Sequence, residues 1–224
     1  MREQFRNELD GLQADVASIV YVIDEVTRDS VSALLNRDVE LANSIFEREE
    51  EIDSMCINIE EHVLEVMATQ HPVARDLRLL QSMAYIAIHL ERMGDHAVGI
   101  AKAALRTADR KGPQTLIDLI QSQASLVYRV LDSMREALEK MDIELARKLP
   151  ELDEPIDQLY KQFFRELARL TDEDEIEWAS QMIMASRSLE RISDYAVDIG
   201  ERLLYLVTGV REFEPTEDDE AQKS

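Results

Sequence analysis

Cysteine occurs once, at Cys56. A lone thiol excludes an internal disulfide framework and suits a reducing compartment. Glycine and proline are scarce, at 6 and 5 of 224 residues, leaving few of the turns that a strand-rich or low-complexity chain needs. Aromatic residues make up only 5%, while Ala, Leu, Ile, Glu and Arg dominate, which points to an all-helical fold. Positive charge is short as well: 25 basic against 47 acidic residues give a net charge of -22. The acidic run from Glu212 to Glu220 holds a minority of those acids, so the body of the chain is acidic too. Such a field repels phosphate backbones, and no basic patch offsets it, so direct nucleic-acid binding is disfavoured. No apolar run approaches the roughly 20 residues needed to span a bilayer. The charged start "MREQFRNELDG" is neither a signal peptide nor a transit peptide. These absences lead to the expectation of a soluble, cytoplasmic protein, and 45% hydrophobic residues supply ample core for one or two compact domains.

What is present is written twice. "LERMGDHAVGIAKAAL" begins at Leu90 and "LERISDYAVDIGERLL" at Leu189. Likewise "RDVELA" from Arg37 answers "MDIELA" from Met141, and "EREEEID" from Glu47 answers "ELDEPID" from Glu151. The late pair is closer in sequence than the early pairs. The first half therefore carries extra residues, most simply in "ATQHPVARDLR". This is a tandem duplication with a loop difference, and Gly112-Pro113, within the polar "TADRKGPQ", is its natural midpoint. Gly suits the end of one helix there and Pro the first turn of the next.

Ile86, Leu90, Met93, Ala97 and Ile100 step by four and three, the seam of a helix in a bundle. Breaks at Asn36-Arg37-Asp38 and His71-Pro72 divide the first half into three helices. Breaks at Met141-Asp142 and "LTDED" divide the second, with Thr171 and Asp174 spaced as a capping box and Gly209 closing the last helix. The expected fold is all-α: two tandem antiparallel three-helix bundles, residues 1–111 and 112–209, followed by an acidic tail over 210–224 that is expected to be disordered. Pro150 and Pro155 fall inside the expected fifth helix and each removes a backbone hydrogen bond, which predicts a kink or bulge.

The repeats also pair their acids. Glu91 with Asp95, and Glu190 with Asp194, lie four apart on one helix face. Glu49 with Asp53, and Asp153 with Asp157, do the same on the preceding helix. Each pair borders the apolar stripe, so packing the two helices gathers four carboxylates in one groove of each bundle. Their mutual repulsion needs an opposing charge. A metal ion is one answer, and an all-oxygen set favours hard cations such as Mg²⁺, Mn²⁺, Ca²⁺ or ferric iron. Arginine is the other, because Arg92 and Arg191 each precede the Asp by three and can form intrahelical ion pairs. A solvated acidic face explains a single such pair, and two copies strengthen the metal reading without deciding it.

Other chemistries find little support. The residues three before His62, His71, His89 and His96 are Ile59, Ala68, Ile86 and Met93, so the Glu-x-x-His of di-iron oxidases is missing. His96 is matched by Tyr195 in the other repeat and Cys56 by Tyr160, which favours packing roles for both. Gly-rich phosphate loops, nucleophile elbows and zinc-finger spacings do not occur.

Taken together, "LERMGDHAVGIA", "LERISDYAVDIGERLLYLVTG", "QHPVARDLR" and "DVELA...EEEID" resemble the PhoU family over residues 1–209. These are accessory and regulatory proteins of the phosphate-specific ABC transport system. The resemblance implies two three-helix bundles and a non-enzymatic role. That role is restraint of the phosphate-starvation response through the transporter ATPase subunit and a membrane sensor histidine kinase. It also implies iron or zinc clusters, as some members hold; the oxygen ligands alone suit another divalent cation such as Mg or Mn, and a homodimer is the expectation for a helical regulator in general. By residue, the implied ligands are Glu49, Asp53, Glu91 and Asp95 in one half and Asp153, Asp157, Glu190 and Asp194 in the other. Three positions depart from the family pattern: Gly99 and Asp198 where Asn is frequent, and Ser193 where Gly is usual. Asp198 extends the second acidic row and joins the candidate ligands, so the second half is expected to be the richer site. The alternatives are a metal-storage or metalloenzyme bundle using the same acids, and a metal-free helical scaffold held by salt bridges.

Overall fold

The computed structural model describes residues 2–210; the acidic tail lies almost wholly outside them. The first repeat comprises α1 (Arg2–Asn36), α2 (Val39–Gln70) and α3 (Arg75–Thr107). The second comprises α4 (Gln114–Lys140), the short α5 (Ile143–Ala146), α6 (Leu149–Leu167) and α7 (Glu173–Thr208). α1, α2 and α3 pack on one another, and α4, α6 and α7 do the same, so each repeat forms a three-helix bundle.

The helix ends follow the turn chemistry. Asp38 caps α2 by accepting from the Leu41 N–H at 2.9 Å, and Asp142 caps α5 in the same way. The cap of α7 is Asp172 rather than Thr171, accepting from the Glu175 N–H at 3.1 Å. An ionised carboxylate is the stronger acceptor for a free N–H beside the positive helix end. Gly209 closes α7 at φ 76, a left-handed conformation that favours glycine. Pro113 stands at the N-cap of α4, one place before the first turn.

The fifth helix is in two pieces. The chain leaves α5 at Arg147 and re-enters helix at Leu149, which puts Pro150 in the first turn of α6, where a missing N–H costs nothing. Pro155 lies within α6, and the helix runs through it. The break thus forms ahead of the first proline.

The seam read from the sequence is buried: Leu90, Met93 and Ile100 are fully covered, as are Leu189, Ile192 and Ile199 in α7. One cluster of buried side chains runs from Leu9 in α1 to Ile199 in α7. The two bundles therefore share this core, and a smaller cluster of Ala137, Ala146, Leu203, Leu204 and Leu206 lies apart from it. α3 and α7 make the most extensive helix pair in the molecule, and α1 touches α4. Equivalent residues of the repeats meet at both crossings. His96 stacks on Tyr195 with ring centroids 5.8 Å apart, and the Arg28 guanidinium donates to Asp132 Oδ1 at 3.2 Å. Off that axis, His89 pairs with Asp198, and Ser188 sits against Gly99, exchanging equivalent positions. A local twofold relation between the repeats accounts for this pattern.

Candidate functional site

α6 and α7 bring three of the paired acids of the second repeat to one point. Ligand oxygens of Asp153, Asp157 and Asp194 lie within 4.8 Å of one another. Asp153 and Asp157 come from successive turns of α6, and Asp194 faces them from α7, beside the buried Ile156 and Ile192. Glu190, one turn before Asp194, completes the rim; its side chain is 17% exposed. Two carboxylate oxygens at this point, Asp153 Oδ1 and Glu190 Oε2, are buried without a hydrogen-bond partner.

Burial is the main cause of unfavourable charge here. It raises the Asp194 carboxyl from 3.8 to about 7, with Glu190, Asp153 and Asp157 adding to the effect. Asp153 and Glu190 are raised too, again chiefly by burial. The arginine pairing exists: Arg191 Nη1 lies 3.1 Å from Asp194 Oδ2, and Arg92 Nη1 lies 3.4 Å from Asp95 Oδ2. Yet Arg191 lowers Asp194 by less than burial and the neighbouring acids raise it. An all-carboxylate set whose buried Asp153 Oδ1 and Glu190 Oε2 lack well-formed hydrogen bonds, with only Arg191 Nε at 3.6 Å from the latter, fits a hard, oxygen-seeking cation.

The first repeat gathers its acids more loosely. Among the described residues no three acids of that half approach as closely as Asp153, Asp157 and Asp194. They still feel one another: burial raises Glu49, with Asp53 and Asp95 contributing, and burial raises Glu91 against the opposing Arg92. Two participants went unread in the sequence. Glu60, two turns beyond Asp53, adds negative charge beside Glu91, and its spacing of seven from Asp53 was a usable signal. Lys102 places a cation beside Glu49, where the second repeat has Glu201.

Asp198 does not join the cluster. It turns across the α3–α7 contact, where its Oδ2 lies 3.4 Å from His89 Nε2. At four residues per step a helix rotates beyond a full turn, so the third acid of the row drifts off the face of the first two. Cys56 is a core thiol. It donates to the Ala87 carbonyl at 3.3 Å, and burial pushes it up to about 12, which keeps it protonated. His96 is occupied with Tyr195, and burial holds its imidazole below the ordinary value. A cavity of about 370 Å³ lies elsewhere, between α1, α3, α4 and α7, and none of the nine acids lines it.

Comparison with known proteins agrees with this architecture. The PhoU domain model matches residues 16–104 and again 120–203, once per repeat. The phosphate-specific transport system accessory protein PhoU homolog of Pseudomonas aeruginosa is 32% identical over 210 residues, which are 92% of this chain and 86% of that protein. The accessory protein PhoU of Escherichia coli is 29% identical over 222 residues, 98% of this chain and 91% of its own. The crystal structure of PhoU from Pseudomonas aeruginosa matches with a TM-score of 0.88 at 31% identity, over 92% of this chain and 100% of that one. That of the phosphate transport system regulatory protein PhoU from Streptococcus pneumoniae gives 0.87 at 29%, over 94% and 100%. Matched in both repeats and alike in fold along nearly its whole length, the chain belongs to the PhoU family.

Proposed function

We propose that this chain is an accessory and regulatory component of phosphate uptake, which restrains the phosphate-starvation response when phosphate is plentiful. The match across both repeats carries this reading, since the relatives are named accessory proteins of phosphate-specific transport and one solved relative a transport regulator. In this reading it works in the cytoplasm as a homodimer, contacting the ATPase subunit of a phosphate ABC transporter and a sensor histidine kinase. No helix among the described residues is long and apolar enough to cross a membrane, and membrane association through those partners is part of the proposal. The role is that of a regulator rather than a catalyst. Capture assays with the purified full chain test it: retention of the ATPase subunit or the kinase is expected, and retention of neither overturns the partner assignment.

The convergence of Asp153, Asp157 and Asp194 supports a second part of the reading, that the acidic grooves hold metal cations, whether single hard ions or iron or zinc clusters. Burial and repulsion leave these carboxyls with too little opposing charge. Metal analysis and melting of the purified protein before and after chelation test this. Bound metal and a lower Tm on chelation are expected. No metal and an unchanged Tm would favour the salt-bridged scaffold, whereas turnover or mineral loading would favour the metalloenzyme or storage protein.

A further inference from the structure

The second-repeat groove contains a polar group that no acidic pattern revealed. Ser193 lies on α7 between Ile192 and Asp194, three residues after Glu190, so Glu190, Ser193 and Asp194 share one helix face. Its relative exposure is 0%. A buried helical hydroxyl ordinarily bonds back to a carbonyl one turn earlier: Thr107 donates to the Ala103 carbonyl at 2.9 Å, and Ser30 to the Thr27 carbonyl at 2.8 Å. Ser193 Oγ does not; like Thr27 Oγ1 and Ser82 Oγ it makes no well-formed hydrogen bond, but alone of the three it lies close enough to a carboxylate, Asp153, to lower that carboxyl. The hydroxyl faces Asp153, whose Oδ1 is likewise without a partner. Two oxygens therefore face each other in a half-buried groove in poor hydrogen-bond geometry, an arrangement that a cation bound between them would relieve.

The first repeat has no such oxygen. The matching position is Gly94, and a Cβ added there would lie 3.3 Å from Ile52 Cγ2. Ile52 fills the space in which a hydroxymethyl group would stand. That repeat instead has Lys102 beside its carboxylates. The two grooves thus differ in kind: one meets its negative charge with an ammonium, the other adds a neutral oxygen.

We propose that the Ser193 hydroxyl is a ligand in the second-repeat groove, joining Asp153, Asp157 and Asp194 as the fourth oxygen around one hard divalent cation, and that it makes this groove the tighter of the two. Hydroxyl oxygens serve hard cations well, and a neutral donor adds coordination without adding repulsion. The inference rests on the cation reading given above. It assigns the asymmetry between the repeats to Ser193 rather than to Asp198.

Mn²⁺ binding to the full chain, measured by the electron paramagnetic resonance of free Mn²⁺, tests it with three variants. Ser193→Ala weakens the tighter class of sites by roughly 10-fold or more and leaves the weaker class as it was. Because the chelated protein loses only an unpaired buried hydroxyl, its Tm stays or rises. Ser193→Cys replaces a hard donor with a soft one, so affinity for Cd²⁺ relative to Mn²⁺ increases. Asp153→Asn with Asp194→Asn removes the tighter class altogether. If the double variant binds Mn²⁺ as the parent does, the carboxylate reading falls and this inference with it. If the double variant loses the class but Ser193→Ala stays within about 3-fold of the parent, the carboxylate site stands and the serine ligand is overturned. An unchanged Cd²⁺ to Mn²⁺ ratio in Ser193→Cys, or a lower Tm for chelated Ser193→Ala, also overturns it, by showing a packing role.

Discussion

Ser193 and Gly94 occupy one position of a duplicated helix, and the difference between them is a hydroxymethyl group. At this scale the molecule is decided by what stands opposite each side chain, which spacing along one chain does not report. Asp198 looked like the third member of an acidic row and instead meets His89. Gly112 looked like a helix terminator, yet α3 has ended at Thr107, and the glycine is there for a close approach. A Cβ on Gly112 would fall 2.1 Å from Trp178 Cε3. The indole is a rigid ring held at 4% exposure in the core, so it has little room to yield. Gly112→Ala is expected to cost about 1–3 kcal/mol, seen as a lower midpoint in urea denaturation at unchanged slope. A midpoint equal to the parent's would mean that the connection shifts freely around the ring.

At the scale of elements, most boundaries were legible because they rest on local chemistry. Asp38, Asp142 and Gly209 act within their own turns, and the breaks read at Arg37, His71 and Met141 coincide with left-handed residues. The split between α5 and α6 was legible only as a disturbance near Pro150, since its place depends on where Leu149 is buried. The α6–α7 groove makes a pH prediction. Burial holds Asp194 at about 7 in the folded chain against 3.8, and raises Asp153 and Glu190 in the same direction. Between about 4 and 7 the folded, metal-free chain binds more protons than the unfolded one. This contribution to stability is therefore full at low pH and lost as pH rises through that interval. In chelator the protein is expected to melt at a higher temperature at pH 5 than at pH 7.5, and added Mn²⁺ raises Tm more at pH 7.5. Calorimetric scans at the two pH values measure both, and a reversed order would contradict the burial of these carboxyls.

For the molecule as a whole, the duplication was visible in the repeated "LER...D" stretches, and so was the pair of three-helix bundles. The way the repeats meet was not, because it depends on surfaces that become adjacent only after each bundle forms. His96 opposite Tyr195 and Arg28 opposite Asp132 bring equivalent residues together across the junction, and the core runs through it without a gap. The paired acids were legible as pairs. Their tight convergence in the second repeat, and the Lys102 beside the first, were not. One cluster of buried side chains runs through both repeats and so ties the two grooves to a common core. The central claim is that this protein restrains the response to phosphate starvation. Its most direct measurement is a phosphate-starvation reporter in the native host, grown in phosphate-rich medium with the gene intact, deleted, or deleted and restored. Deletion is expected to switch the reporter on despite abundant phosphate, and the restored gene to silence it. A reporter that stays silent on deletion would contradict the account.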